Sequence, residues 1–289
     1  MTQVTNPTQP ASSLPGGLGA GGFSVVGIQS DNRLSGGSGS DDILTFAGND
    51  VIAGGSGNEL IKTDGGNDSV GGGDGNDTIF SGSGSDVVAG GTGDDFIFGG
   101  KGDDLVDGGD GNDVVSGDRG NDTVLGGSGS DTVFGGRGND VVGGGDGNDT
   151  LYGGKDNDTV NGGSGNDLIS GDRGSDVLTG GAGSDTFYFF SSGGEYGVDT
   201  ITDFTPTEDK IKLKTTSGGV FGGLGTALDP AEFVVVSGFN TASPGATTNK
   251  LVYDPTNGTL YFNGTSGVLT VAQLQPGLTT LTSNNFELF

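Results

Sequence analysis

GGDGNDTIF, residues 72–80, decides the fold: a glycine pair, a free position, a third glycine, another free position, Asp77, and Ile79 two places after the acid. The same beat returns as GGSGSDTVF at 126–134 and GGSGNDLIS at 162–170. From Asp41 to Asp185, a separation of 144 positions or sixteen periods of nine, it never slips phase. The acids are Asp41, Asp50, Glu59, Asp68, Asp77, Asp86, Asp95, Asp104, Asp113, Asp122, Asp131, Asp140, Asp149, Asp158, Asp167, Asp176 and Asp185. Two residues after each stands an aliphatic or aromatic residue, from Ile43 to Phe187. Helical repeats take about twenty residues or more, so a period of nine predicts a loop followed by a short strand. Two units then make one coil, and parallel strands stack about 4.8 Å apart from coil to coil. The apolar residue of each strand points inward, which predicts a thin core of two facing ladders of Val, Ile and Leu.

Composition agrees with a thin core. The 289 residues are 30% hydrophobic and 7% aromatic, and 66 of them are Gly, which suits repeated tight turns and opposes helix. Such a chain defaults to disorder unless something orders it. A net charge of −27 makes the chain a poor partner for nucleic acid or anionic lipid and a good one for cations. There is no Cys and no His, so disulfides, thiolate or imidazole metal sites and His-based catalysis are unavailable. The N-terminal stretch lacks the basic start and apolar run of a cleavable secretion signal, and no stretch is long enough to span a membrane.

Each loop offers one carboxylate, carbonyls exposed by Gly, and neither nitrogen nor sulfur donors. Hard oxygens in a flexible turn suit Ca2+, which takes six to eight oxygen ligands at about 2.3–2.6 Å, better than the stricter octahedron of Mg2+. The units quoted above resemble the hemolysin-type calcium-binding nonapeptides of the RTX (repeats-in-toxin) family, over about half the chain. The resemblance implies an all-β fold: a right-handed parallel β-roll, a β-solenoid with two nonapeptides per coil. In it Ca2+ lies between loops of successive coils, held by the sixth-position carboxylates named above and by loop carbonyls. At most about 15 ions would fill the gaps, with a charge close to the chain's own −27.

Departures from the template mark the weakest sites. TFAGNDVIA, residues 45–53, lacks the glycine pair, Glu59 is a methylene too long, Thr63 and Asp64 open the next such loop, and Asp156 replaces a fourth-position Gly. Filling is expected to be incomplete before Asp68.

Three regions follow: a flexible low-complexity leader (1–35), the roll (36–188), and a β-rich C-terminal cap and secretion region (189–289). Within the last, FYFF, KIKL, EFVVV, KLVYD and TLYFN read as strands, with a hairpin turn at residues 255–258. VDTITDFTPTEDKIKL is similar to the segment that follows the last repeat in RTX proteins. The similarity makes Asp199, Asp203 and Asp209 candidate ligands of a terminal ion. The final FELF looks like the uncleaved signal read by type I secretion systems, an export route that does not use the N-terminus.

A second pattern lies in the third loop position. Lys101, Arg119, Arg137, Lys155 and Arg173 occupy it at intervals of eighteen, one coil apart, and are the basic residues between Thr63 and Asp209. They neutralise nearby acids, or dock another copy of the chain or an anionic polysaccharide. The reading as a whole is a secreted, extracellular, non-enzymatic calcium-binding protein, folding on calcium outside the cell, with a structural or cell-surface role. The alternative is a non-catalytic or remnant module of a secreted RTX enzyme of protease, lipase or epimerase type.

Overall fold

The computed structural model describes residues 3–5, 22–189, 197–214, 228, 233–237, 241–242, 250–264 and 267–289. Among them every regular element is a strand except the 3-10 turn Ser283–Asn285, so no helix is long and apolar enough to cross a membrane. The chain divides into two compact units, residues 1–150 and 151–289.

In the first unit, strands alternate between two parallel sheets. One holds Ser24–Val26, Asp42–Leu44, Leu60–Lys62, Thr78–Phe80, Phe96–Lys101, Val114–Arg119 and Thr132–Arg137. The other holds Arg33–Ser38, Val51–Ser56, Ser69–Asp74, Val87–Thr92, Leu105–Asp110, Thr123–Ser128 and Val141–Asp146. Each strand pairs with the one eighteen residues on, as in Ile79↔Ile97↔Val115↔Val133 and Val70↔Val88↔Val106↔Val124. The nine-residue beat therefore folds as the parallel β-solenoid it predicts. Its apolar members from Ile43 to Val142 are at most 3% exposed.

Those columns begin ahead of the acidic repeats. Val25 pairs with Ile43 and Leu34 with Ile52, both earlier residues buried, so coils start at Ser24, before the boundary expected at Gly36. Phe23 and Asn32 stand where the acid would be, which hides these two units from a search for acids. Residues 6–21 of the expected leader lie outside the described residues, while Gln3–Thr5 pairs in parallel with Ser24–Val26.

In the second unit, Leu151, Val160, Ile169, Leu178 and Phe187 are fully buried, and Thr159–Ser164 pairs with Val177–Ala182 in the same register of eighteen. The columns continue past Phe189. Asp199–Ile201 sets Ile201 beside Leu178, and Lys210–Leu213 sets Ile211 beside Phe187. The steps lengthen, yet the order acid, any residue, apolar residue persists in Asp199-Thr200-Ile201 and Asp209-Lys210-Ile211.

Phe286–Leu288, from the terminal FELF, adds to Lys210–Leu213. Gly267–Gln273 adds to Asp199–Ile201 and carries antiparallel Thr259–Gly264, which pairs in turn with Lys250–Asp254. The expected hairpin turn is present: Gly258 sits at φ 78° and its amide donates to the Asp254 carbonyl at 2.8 Å. Of the other expected strands, Phe233–Val235 forms, while Phe190 and Glu232 lie outside the described residues.

Candidate metal centre

The acidic side chains of the repeats do not face solvent. Asp77, Asp95 and Asp104 are at most 3% exposed, and Asp41, Asp50, Glu59, Asp68, Asp86, Asp113, Asp122 and Asp131 are likewise buried. One oxygen of each Asp is fixed by the coil before it: the Asp95 amide donates to Asp113 Oδ1 at 2.8 Å, and that of Asp113 to Asp131 Oδ1 at 2.7 Å. On the opposite edge the Asp86 amide donates to Asp104 Oδ1 and that of Asp104 to Asp122 Oδ1, both at 2.8 Å.

The second oxygen is left over. Oδ2 of Asp41, Asp50, Asp68, Asp77, Asp86, Asp95, Asp104, Asp113, Asp122 and Asp131 is buried without a hydrogen-bond partner, as are both carboxylate oxygens of Glu59. A charged oxygen removed from water with no donor is costly unless a cation balances it. The cost shows as a preference for the proton. Burial pushes Asp86, Asp122 and Asp131 up to about 6. It pushes Asp95 and Asp104 up to about 7, helped by the acids one coil away, and Glu59 up to about 8, helped by Asp77.

Glycine makes the space these oxygens face. A Cβ added to first-position Gly72 would lie 2.2 Å from Asp77 Oδ2 and 2.6 Å from the Gly90 carbonyl oxygen of the next coil. The carboxylate oxygen and the carbonyl therefore converge on one small volume that only glycine leaves open. Second-position Gly73, at φ 122°, has no room for a Cβ either, because the Gly55 carbonyl would stand 2.0 Å from it. Among the described residues no group of three or more acidic side chains gathers at one point, so a cation here would be held by single carboxylates and many carbonyls. That all-oxygen donor set fits calcium.

A profile of the RTX calcium-binding nonapeptide repeat matches residues 26–58, 53–88, 80–115, 89–124, 107–142, 125–160 and 161–189. The chain belongs to the RTX repeat family. RTX nonapeptides bind multiple calcium ions, and the orphaned carboxylate oxygens agree with it. No curated protein matches this chain. Among solved structures, the extracellular lipase LipA from Serratia marcescens is 17% identical, with a TM-score of 0.21 over 83% of this chain and 45% of the lipase chain. This RTX chain thus spans less than half the length of that lipase.

The three C-terminal candidates separate. Asp199 and Asp209 extend the acid columns, Asp199 Oδ1 accepting the Asp176 amide at 3.1 Å and Asp209 Oδ1 the Asp185 amide at 3.0 Å. Burial and the Asp176 charge push Asp199 up to about 8. Asp203 holds another place: its two oxygens accept the Gly180 and Gly181 amides at 2.9 and 2.8 Å, closing the end of a loop.

Of the basic column, Lys101, Arg119 and Arg137 stand in direct strand register in the first unit and are exposed. With Gly82, Gly100 and Asp118 they line an open cleft of about 380 Å³. Lys155 and Arg173 are exposed in the second unit, at the ends of Thr150–Lys155 and Leu168–Arg173. Two residues beside this column were missed by the reading of periods. Asp118 and Asp172 hold second-position glycine conformations, at φ 73° and 64°, and each accepts the hydroxyl of a buried serine, Ser116 at 2.8 Å and Ser170 at 2.7 Å. The signal was present as SGDR at both 116–119 and 170–173. Asp156, at φ 79°, takes the left-handed conformation of the fourth-position Gly it replaces, which Asp tolerates better than most residues.

Proposed function

We propose that this RTX chain is a secreted, non-enzymatic β-roll that folds when calcium fills its loops, through repeat carboxylates between Asp41 and Asp185 and through Asp199 and Asp209. The observation that carries it is the column of buried carboxylate oxygens without donors, several of which, as at Asp77, Asp95 and Asp113, converge with a carbonyl of the next coil. Calcium supplies positive charge between these oxygens. The chain supplies the rest: amides that aim each carboxylate, glycines that keep the space open, and aliphatic columns that hold the coils together. Because the sites do not exist before the coils stack, binding energy is folding energy. At micromolar cytosolic calcium the chain stays unfolded and passes a type I secretion channel with FELF as its signal. At about millimolar calcium, the affinity scale of extracellular modules, it folds outside the cell. Its role there is structural, at a surface or in a matrix, with the Lys and Arg column docking a second copy or an anionic polysaccharide.

Circular dichroism with calcium and with EGTA tests the coupling, and a β signal of equal size in EGTA would overturn it. For the basic column, replacing Arg119, Arg137 and Arg173 with Glu should abolish self-association and glycan binding while leaving calcium binding in place. Unchanged light scattering and glycan retention would remove that part.

A further inference from the structure

Not every loop of the first unit leaves room for an ion. On the edge carrying Asp41, Glu59, Asp77, Asp95, Asp113 and Asp131, every first position is glycine, namely Gly36, Gly54, Gly72, Gly90, Gly108 and Gly126. At each of them an added Cβ would come within 2.7 Å of the first-position carbonyl oxygen one coil on. On the other edge the series begins Thr45, Thr63, Ser81, and only then reaches Gly99 and Gly117.

These three side chains point inward, at 0%, 3% and 0% exposure. Two of their hydroxyls occupy carbonyls that an ion would need. Ser81 Oγ donates to the Gly99 carbonyl at 2.6 Å, and Thr63 Oγ1 donates to the Ser81 carbonyl. The Thr45 hydroxyl is buried in the corresponding place without a partner.

The backbone records the same break. Strands leading into these loops, Asp42–Leu44, Leu60–Lys62 and Thr78–Phe80, stop after three residues. From Phe96–Lys101 onward, strands entering this edge run through the first three loop positions, as all strands entering the other edge do. Beyond the break the early loops are joined coil to coil by isolated bridges, Ala47↔Gly65↔Ser83↔Lys101.

We propose that the loops 45–50, 63–68 and 81–86 are closed by the side chains of Thr45, Thr63 and Ser81 in place of calcium, so that the ion column of this edge starts at Gly99 while that of the opposite edge starts at Gly36. The carbon and oxygen of each side chain fill the volume glycine leaves open, and at Thr63 and Ser81 a hydroxyl donating to a carbonyl joins coils where an ion would, while Oδ2 of Asp50, Asp68 and Asp86 keeps no donor. The two edges of the first unit therefore need different amounts of calcium, and the start of one edge takes none of its own.

The inference rests on the calcium reading above, and counting ions in the full chain separates the two. Bound calcium is measured by equilibrium dialysis at saturating calcium, with dichroism confirming the β fold of each variant. The triple variant T45G/T63G/S81G should bind about three more ions than the native chain, one for each gap opened. S81A keeps a Cβ in the space and should bind the native number. An unchanged count in the triple variant, or an ion lost in S81A, would overturn the proposal, the latter because it makes the serine hydroxyl a calcium ligand. G72T and G90T on the opposite edge should each lose ions, and unchanged counts there would remove the calcium reading itself and this inference with it.

Discussion

Asp95 and Asp254 are both buried carboxylates, and the two regions that hold them complete them in opposite ways. In the C-terminal hairpin, Asp254 accepts the amide and the hydroxyl of Thr256 at 2.9 and 2.6 Å, donors supplied by the turn itself. In the repeats, Asp95 Oδ1 accepts one amide, from Asp77, and Oδ2 has no donor at all. Their surroundings differ in the same sense. The hairpin packs Leu251, Val252, Tyr253 and Leu260, all fully buried, and the Tyr253 hydroxyl donates to the Gln275 carbonyl at 2.7 Å. A repeat buries one aliphatic side chain per nine residues. One region is finished by protein groups, the other is left open for a cation, and stability should respond to calcium accordingly.

The largest expected effect is chelation. Hydrogen exchange in EGTA should show loss of amide protection throughout the repeats from Asp41 to Asp185. Protection in the repeats that is the same with and without calcium would erase the contrast. Leu260→Ala probes the other side. It removes a fully buried side chain and should cost about 2–5 kcal/mol in a denaturant melt at saturating calcium, with the number of bound ions unchanged. A fall in that number would mean the hairpin is not self-sufficient.

Asp95→Asn sharpens the comparison because its sign should depend on calcium. The amide keeps the acceptor for the Asp77 amide but removes the charge. With calcium present the variant should lose ion affinity and stability; in EGTA it should be about 1–3 kcal/mol more stable than the native chain, since an uncompensated buried charge is gone. Asp254→Asn should destabilise by a similar amount in both conditions. Thermal melts of the two variants, each with and without calcium, read the four signs.

The nine-residue beat carries the solenoid because a side chain every ninth residue, always two after an acid, has one way to be buried consistently. It carries less at the ends, where the acid is what changes. Phe23 and Asn32 conceal two coils whose apolar members, Val25 and Leu34, are in place. After Phe187 the acid and apolar pairs Asp199 with Ile201 and Asp209 with Ile211 survive, but longer connections break the count. Asp203 sits in the same acidic stretch and does something else, closing a loop by accepting two amides, which no spacing announces. Ser81 is the subtlest case. In sequence it looks like a small replacement for Gly, and its effect appears only once the space beside Asp86 is seen to be the place an ion would take.

The smallest effect is that of acid on the calcium-free chain, and its sign opposes the usual one for carboxylates. Burial raises Asp86, Asp122 and Asp131 to about 6 and Asp95 and Asp104 to about 7, above the 3.8 of an unburied Asp. A group whose pKa is higher folded than unfolded favours folding most when protonated, and that contribution is lost as pH rises through the folded value. In EGTA, β structure should therefore grow as pH falls from about 7 to about 5. With calcium present the trend should reverse, because protons and calcium compete for the same oxygens. Dichroism followed across this range reads both arms. A calcium-free chain that loses β structure on acidification would show that the repeat carboxylates are compensated within the protein, as Asp254 is.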